Sequence, residues 1–380
     1  MTGFSLPPGL WLGRVWRAGI GPCLVTIRAG HVFDITTKVA PTMRDLLEQP
    51  DIAGFVAQQP GENLGLLDTF LLGSVEAAGD TARLLAPCDL QAVKACGVTF
   101  ARSMVERVIE ERAAGNPALA AEIRIRVADV IGDSLRDLVP GSPKAAEVKA
   151  LLQAEGLWSQ YLEVGIGPDA EVFTKAQPMA AVGYGASVGL HPISKWNNPE
   201  PEVVLVVNSK GQIVGATLGN DVNLRDVEGR SALLLGKAKD NNAAASIGPF
   251  IRLFDADFTL DTVRGLELTL TVTGADGFVL QGASSMRQIS RDPADLVAQT
   301  RGRHHQYPDG FVLYCGTMFS PVQDRDGPGQ GFTHHLGDVV TISAPELGSL
   351  TNTVRLATEA PEWQFGTAAL MRNLAARHLL

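Results

Sequence analysis

The chain predicts an α+β fold with a β-rich centre, and three features of its 380 residues carry that expectation. Its 40 glycines and 22 prolines are spread along the sequence rather than concentrated, as many short strands joined by turns require. Residues 266–273 alternate strictly, so Leu266, Leu268, Leu270 and Val272 share one face of a strand and imply an antiparallel sheet packed on a core. Residues 103–112 instead place Met104, Val105, Val108 and Ile109 at helical spacing.

Residues 1–88 read as a small β-rich N-terminal domain. Within it, residues 23–28 and 32–36 are apolar runs separated by Ala29, Gly30 and His31, which predicts two paired strands. Residues 41–47 and 69–78 are short helix candidates, and 84–89 form a connection into a larger domain over 89–380. That domain opens with a helical insertion, in which 103–112, 118–135 and 144–154 all have helical periodicity. Strand signals then dominate, at 171–175, 203–207, 266–273 and 311–315. Residues 230–239 and 367–379 are the remaining helix candidates.

At 45% hydrophobic and 19% charged, the composition is that of a globular protein with a large core. A net charge of -9 argues against a nucleic-acid partner, which normally meets a basic face. No apolar stretch approaches the roughly 18 to 20 residues that span a bilayer, and no signal-peptide core follows Arg14 and Arg17. The expectation is therefore a cytoplasmic protein with neither nucleic acid nor membrane as partner. Cys23, Cys88, Cys96 and Cys315 form no CxxC pair, which points to buried free thiols rather than a zinc site or disulfide framework. No GxGxxG, P-loop or GxSxG run is present. His304 with His305, and His334 with His335, are adjacent pairs rather than i, i+4 ligands, which leaves substrate-hydroxyl contacts and surface turns both open.

The acidic residues are more informative. Glu200 and Glu202 flank Pro201 ahead of the apolar run 203–207, and side chains at i and i+2 of a strand project from the same face. Asp221, in the run 219–226, can arrive on the next strand as a third carboxylate. Three oxygen ligands with positions left for water and substrate suit Mg²⁺, with Mn²⁺ the alternative, at about 2.0 to 2.1 Å for the former. Pro199 and Pro201 support a different reading, a solvated acidic strand edge. Glu171 and Lys175 also share a strand face. Beside a cation, Glu171 is a further ligand or a proton carrier and Lys175 a contact for a substrate carboxylate; otherwise the two are a surface ion pair. Lys239 ends a helix-like segment, where it is either an exposed helix-end lysine or an acid-base group whose pKa a nearby metal lowers.

The Glu200-Pro-Glu202 run, residues 219–226, Lys239 and Gly248-Pro249 occur in the order that resembles the fumarylacetoacetate hydrolase family, over roughly residues 91 to 345. The resemblance implies a mixed β-roll, Mg²⁺ held by Glu200, Glu202 and Asp221, Arg225 and Thr317 as substrate contacts, and Lys239 in the active site. One departure stands out. Where the family's hydrolases have a histidine and a glutamate that activate water, this chain has Ser103 and Glu106. A serine hydroxyl cannot serve as a base near neutral pH without help, so Ser103 is expected only to contact substrate, and of that water-activating pair only the catalytic Glu106 remains, which argues against hydrolysis of a carbon-carbon bond. Residues 156–163, 196–202, 223–231 and 305–311 are similar to the family's dehydratase branch, which acts on 2-keto-3-deoxy pentonates. That implies Mg²⁺-dependent dehydration of a 2-keto-3-deoxy sugar acid by a homodimer or homotetramer, with Glu171 and Lys239 moving protons and their acid and base roles open. The alternatives are a hydrolase that cleaves a carbon-carbon bond of a 2,4-diketo acid and a non-catalytic sugar-acid binding protein.

Overall fold

The computed structural model describes residues 4–100, 104, 108, 138–154 and 158–380. Ser103, Glu106 and most of the expected helical insertion lie outside the described residues.

The first half of the chain contributes β1 (Trp11–Arg17), β2 (Gly21–Arg28), β3 (His31–Asp34), β4 (Glu62–Leu66), β5 (Arg83–Leu85), β6 (Ala92–Gly97), β7 (Glu171–Ala176) and β8 (Ser187–Leu190). The second half contributes β9 (Pro201–Val207), β10 (Ile213–Asp221), β11 (Ala245–Leu253), β12 (Glu267–Thr273), β13 (Val279–Ser285), β14 (Phe311–Tyr314), β15 (Val339–Ala344) and β16 (Gly348–Leu356). A large sheet runs β4-β3-β2-β1-β11-β10-β9-β14-β6-β7, with β5 also on β1, and a small sheet runs β13-β12-β15-β16-β8. Most pairs are antiparallel as expected, but β14 is parallel to β6 and β8 to β16, so both sheets are mixed. The β2–β3 turn is the expected hairpin: Ala29 and Gly30 both take positive φ, 47° and 75°, the geometry of a tight two-residue turn.

The small sheet packs on the centre of the large one, and the two faces of β9 show how. Every residue of β9 is buried, the signature of a strand covered on both sides. Val203, Leu205 and Val207 meet Leu268, Leu270, Val272 and Ile342 of the small sheet in one core. Val204 and Val206 face the other core, with Leu12, Leu24, Met43 and Leu46. On β12 the expected alternation holds, with Leu268, Leu270 and Val272 buried between more exposed neighbours.

Helices form close to several expected positions, at Met43–Leu47, Pro143–Ala154 and Thr367–Ala376. The candidate at 69–78 ends early, as Leu67–Ser74, and that at 230–239 divides into a 3-10 turn, Ala232–Leu234, and a helix, Leu235–Lys239. The expected domain boundary at 88/89 falls between β5 and β6, and the large sheet runs across it: Trp11 and Leu12 of β1 pair with Arg252 and Ile251 of β11. Asp89 ties the two sides further, its carboxylate accepting from Met43 N at 2.6 Å and Arg44 N at 3.1 Å.

Candidate metal centre and active site

The register of β9 and β10 builds the acidic cluster. Pro201 opens β9, a position that costs no ladder hydrogen bond, and pairs with Asn220, while Glu202 lies across from Gly219. The Asp221 amide donates to Glu200 O at 3.0 Å, which closes the strand ends together. As a result, one carboxylate oxygen from each of Glu200, Glu202 and Asp221 lies within 4.8 Å of the others. The residues are 5%, 2% and 2% exposed, which rules out the solvated strand edge.

Three carboxylates in a water-poor site repel each other, and the cost falls on Glu202. Burial and the charges of Asp221 and Glu200 push the Glu202 carboxyl well above the usual carboxylate range, with only partial relief from Lys239 and the Gly316 N–H. Burial also disfavours the charged form of Asp221, but Lys175 and Lys239 outweigh it and hold that carboxyl below its ordinary value. A buried all-oxygen donor set with uncompensated negative charge fits a hard divalent cation.

Around the trio the structure places the other expected residues. Lys239 is buried, with Nζ donating to Glu200 Oε2 at 2.6 Å and Asp221 Oδ2 at 3.2 Å and lying 5.8 Å from the Phe173 ring centroid. Its exposed helix-end alternative is therefore excluded. Glu171 lines the same cavity, paired across β7 and β6 with Gly97. A Cβ at position 97 would overlap Glu171 Oε2, so glycine leaves the hollow that seats this carboxylate. Arg225 is also buried in the wall. It donates to Pro321 O at 3.1 Å and Ser320 Oγ at 3.3 Å, and its guanidinium stacks 4.3 Å from the Trp196 ring centroid. Thr317 lines the cavity while its Oγ1 accepts from Phe319 N at 3.1 Å.

Lys175 lies elsewhere than expected. It is 0% exposed, with Nζ turned to Asp221 and to backbone carbonyls behind the cluster, so it neither lines the cavity nor forms a surface ion pair with Glu171. None of the paired histidines lines the cavity either. His304 and His305 are exposed, and His334 is buried against Asp338, 3.1 Å from its Oδ2.

Asn198, Asn223 and Glu228 were not singled out from the sequence, and Gly316 was noted only beside Thr317 as part of the family resemblance. Asn198 and Asn223 line the cavity and hold each other by reciprocal backbone bonds of 3.0 Å. Glu228 enters the wall from the one-turn helix Arg225–Glu228. Gly316 donates its N–H to Glu202 Oε2 at 2.6 Å, at φ +86° and where a Cβ would overlap Thr99 Oγ1, a place open to glycine alone. Asn223 and Glu228 do sit within the run 223–231 that carries part of the family resemblance.

Residues 160–355 match the model of the fumarylacetoacetate (FAA) hydrolase C-terminal family. The chain is 30% identical over 248 residues to a probable 2-keto-3-deoxyxylonate dehydratase of Haloferax volcanii, which covers 62% of this chain and 81% of that one. It is 29% identical over 185 residues to 2-dehydro-3-deoxy-D-arabinonate dehydratase of Saccharolobus solfataricus, covering 49% of this chain and 58% of that one. Among solved structures, the apo form of 2-keto-3-deoxy-D-arabinonate dehydratase superposes with a TM-score of 0.64 at 21% identity, covering 91% of this chain and 99% of the other. The same enzyme complexed with magnesium and 2,5-dioxopentanoate gives 0.62 at 20% identity, with the same coverage. These structures establish the fold as the expected mixed β-roll, and with the family match they lead to one conclusion: the chain belongs to the fumarylacetoacetate hydrolase family.

Proposed function

We propose that the protein is a Mg²⁺-dependent hydro-lyase that converts 2-keto-3-deoxy-D-xylonate, equally named the D-arabinonate, to 2,5-dioxopentanoate and water. The observation that carries this reading is the buried trio of Glu200, Glu202 and Asp221 with Lys239 at its centre, in a chain whose relatives are named as dehydratases of these acids. The trio would hold Mg²⁺, or Mn²⁺ in its place. When bound, the cation supplies a Lewis acid that draws electrons from the 2-keto group and makes the C3 protons acidic.

The chain's own groups do the rest. Lys239 and Glu171 both face the cavity, and one removes a C3 proton while the other protonates the C4 hydroxyl as it leaves. A proton shift from C5 to C3 then gives the C4=C5 enol, and transfer of the enol hydroxyl's proton to C4 gives the C5 aldehyde. Arg225, rigidly held by Ser320, Pro321 and Trp196, and Thr317 orient the acid, with Asn198, Asn223 and Glu228 offering hydrogen bonds to its hydroxyls. Among the described residues no helix is long and apolar enough to cross a membrane, which accords with a cytoplasmic enzyme acting on a small molecule. A homodimer or homotetramer is the assembly we infer from the family.

Glu200→Ala and Asp221→Ala test the reading. Each is expected to abolish Mg²⁺-dependent turnover with an unchanged far-ultraviolet circular dichroism spectrum. Undiminished activity of either variant in metal-depleted buffer would defeat it.

A further inference from the structure

Lys175 is fully buried near the end of β7, and a lysine ammonium in such a place requires a paired charge and hydrogen-bond acceptors. Its Nζ lies 2.8 Å from Asp221 Oδ1, 2.7 Å from Lys239 O and 3.2 Å from Val222 O. Those partners come from two elements, the end of β10 with the residue after it and the last residue of the helix Leu235–Lys239. One ammonium thus joins a carboxylate of the acidic trio to the main chain of the proton-carrying lysine. The circuit closes through the other carboxylate oxygen: Asp221 Oδ2 lies 3.2 Å from Lys239 Nζ, which also donates to Glu200 Oε2 at 2.6 Å.

We propose that Lys175 is a positioning residue for the dehydration, one that fixes the Asp221 carboxylate and the Lys239 main chain as a single unit and makes no contact with substrate. This rests on the functional reading given above. Without the Lys175 charge, Asp221 keeps a buried oxygen with no cation behind it, and the ammonium left beside the carboxylate is that of Lys239. Asp221 then turns onto Lys239. That movement withdraws a ligand from the divalent cation and occupies the proton carrier, so both metal affinity and turnover fall. A direct contact with the substrate carboxylate, the role its spacing from Glu171 suggested, has a different signature, namely a raised KM at unchanged metal affinity.

The experiment compares wild type with Lys175→Met, a substitution that keeps the apolar stem and removes the charge. Mn²⁺ binding is read by isothermal titration calorimetry on the full chain, and kcat and KM are read at saturating Mg²⁺. The expected result is a Mn²⁺ Kd raised about tenfold or more and a kcat lowered by a similar factor, with KM within about threefold of wild type. Unchanged Mn²⁺ affinity would overturn the proposal, whether KM rises or not. If Lys175→Met does not fold, Lys175→Met/Asp221→Asn, which leaves no unpaired charge, is compared with Asp221→Asn alone. Because Lys175 acts through Asp221, the two are expected to bind Mn²⁺ with equal affinity within about threefold, and a further loss in the double variant would overturn the proposal. Absence of dehydratase turnover in the wild type would instead sink the functional reading and leave the Mn²⁺ comparison intact.

Discussion

Glu202 and Asp221 are carboxylates of one cluster with opposite titration, and the difference follows from which neighbours each can reach. Glu202 faces two like charges and has one backbone N–H at 2.6 Å, whereas Asp221 touches two ammonium groups. A carboxyl raised above its ordinary value of 4.5 adds stability that is present in acid and lost as pH rises through its folded pKa. Asp221, depressed below 3.8, contributes in the other sense, and its stabilisation is lost only in stronger acid, so it does not cancel the Glu202 effect near neutrality. A divalent cation must find Glu202 ionised. The rise in melting temperature caused by Mg²⁺ is therefore expected to grow as pH rises above the ordinary carboxylate range, as differential scanning fluorimetry in matched buffers would record; a constant shift would contradict the assignment. Lys239 gives a separate test at this scale. Lys239→Met is expected to lose at least about 10²-fold in kcat while still binding Mn²⁺, and a variant that kept more than about a tenth of the wild-type rate would remove the lysine from proton transfer.

At the scale of elements, what could be read from sequence was whatever strand periodicity controls. The i, i+2 spacing placed Glu200 and Glu202 together, and the following strand delivered Asp221 through the Gly219–Glu202 register. Depth was not legible in the same way. The spacing gave Glu171 and Lys175 one face, but the β6–β7 register shifts at Lys175 and β7 passes from half-buried at Glu171 to fully buried there, which turned an expected substrate contact into an internal one. Asn198, Asn223 and Glu228 reach the cavity through a two-loop bridge and a single helical turn, neither of which has a period to read. Short helices such as Ile52–Gln58 escaped for the same reason, although Pro293–Thr300 carries a signal that was there to be read, Asp292 as cap and Pro293 in the first turn. The β6–β7 pair also carries a prediction. Gly97→Ala drives a methyl into the seat of the Glu171 carboxylate and is expected to lower kcat about 10²-fold with the fold retained. Wild-type turnover in that variant would show that catalysis does not depend on where Glu171 is held.

Over the whole molecule, the site is assembled from more of the chain than the family match spans. Residues 160–355 carry the trio, Lys239 and Arg225, but Gly97 and Thr99, which shape the seats of Glu171 and Gly316, precede them. Composition pointed to an α+β protein, and the two mixed sheets agree. It could not show that the strands before residue 88 join the catalytic sheet, because the pairing of β1 with β11 links segments far apart in sequence that share no local signal. That long-range sheet is what holds β9 and β10 between two cores and keeps three carboxylates buried together, and the dehydratase reading depends on their buried charge. The most direct test of that reading is the product itself: the purified protein is incubated with 2-keto-3-deoxy-D-xylonate and Mg²⁺, with an EDTA control, and the product is identified by mass spectrometry. Loss of one water to give 2,5-dioxopentanoate, dependent on the metal, is the predicted result. Unchanged substrate, or conversion that survives EDTA, would contradict it.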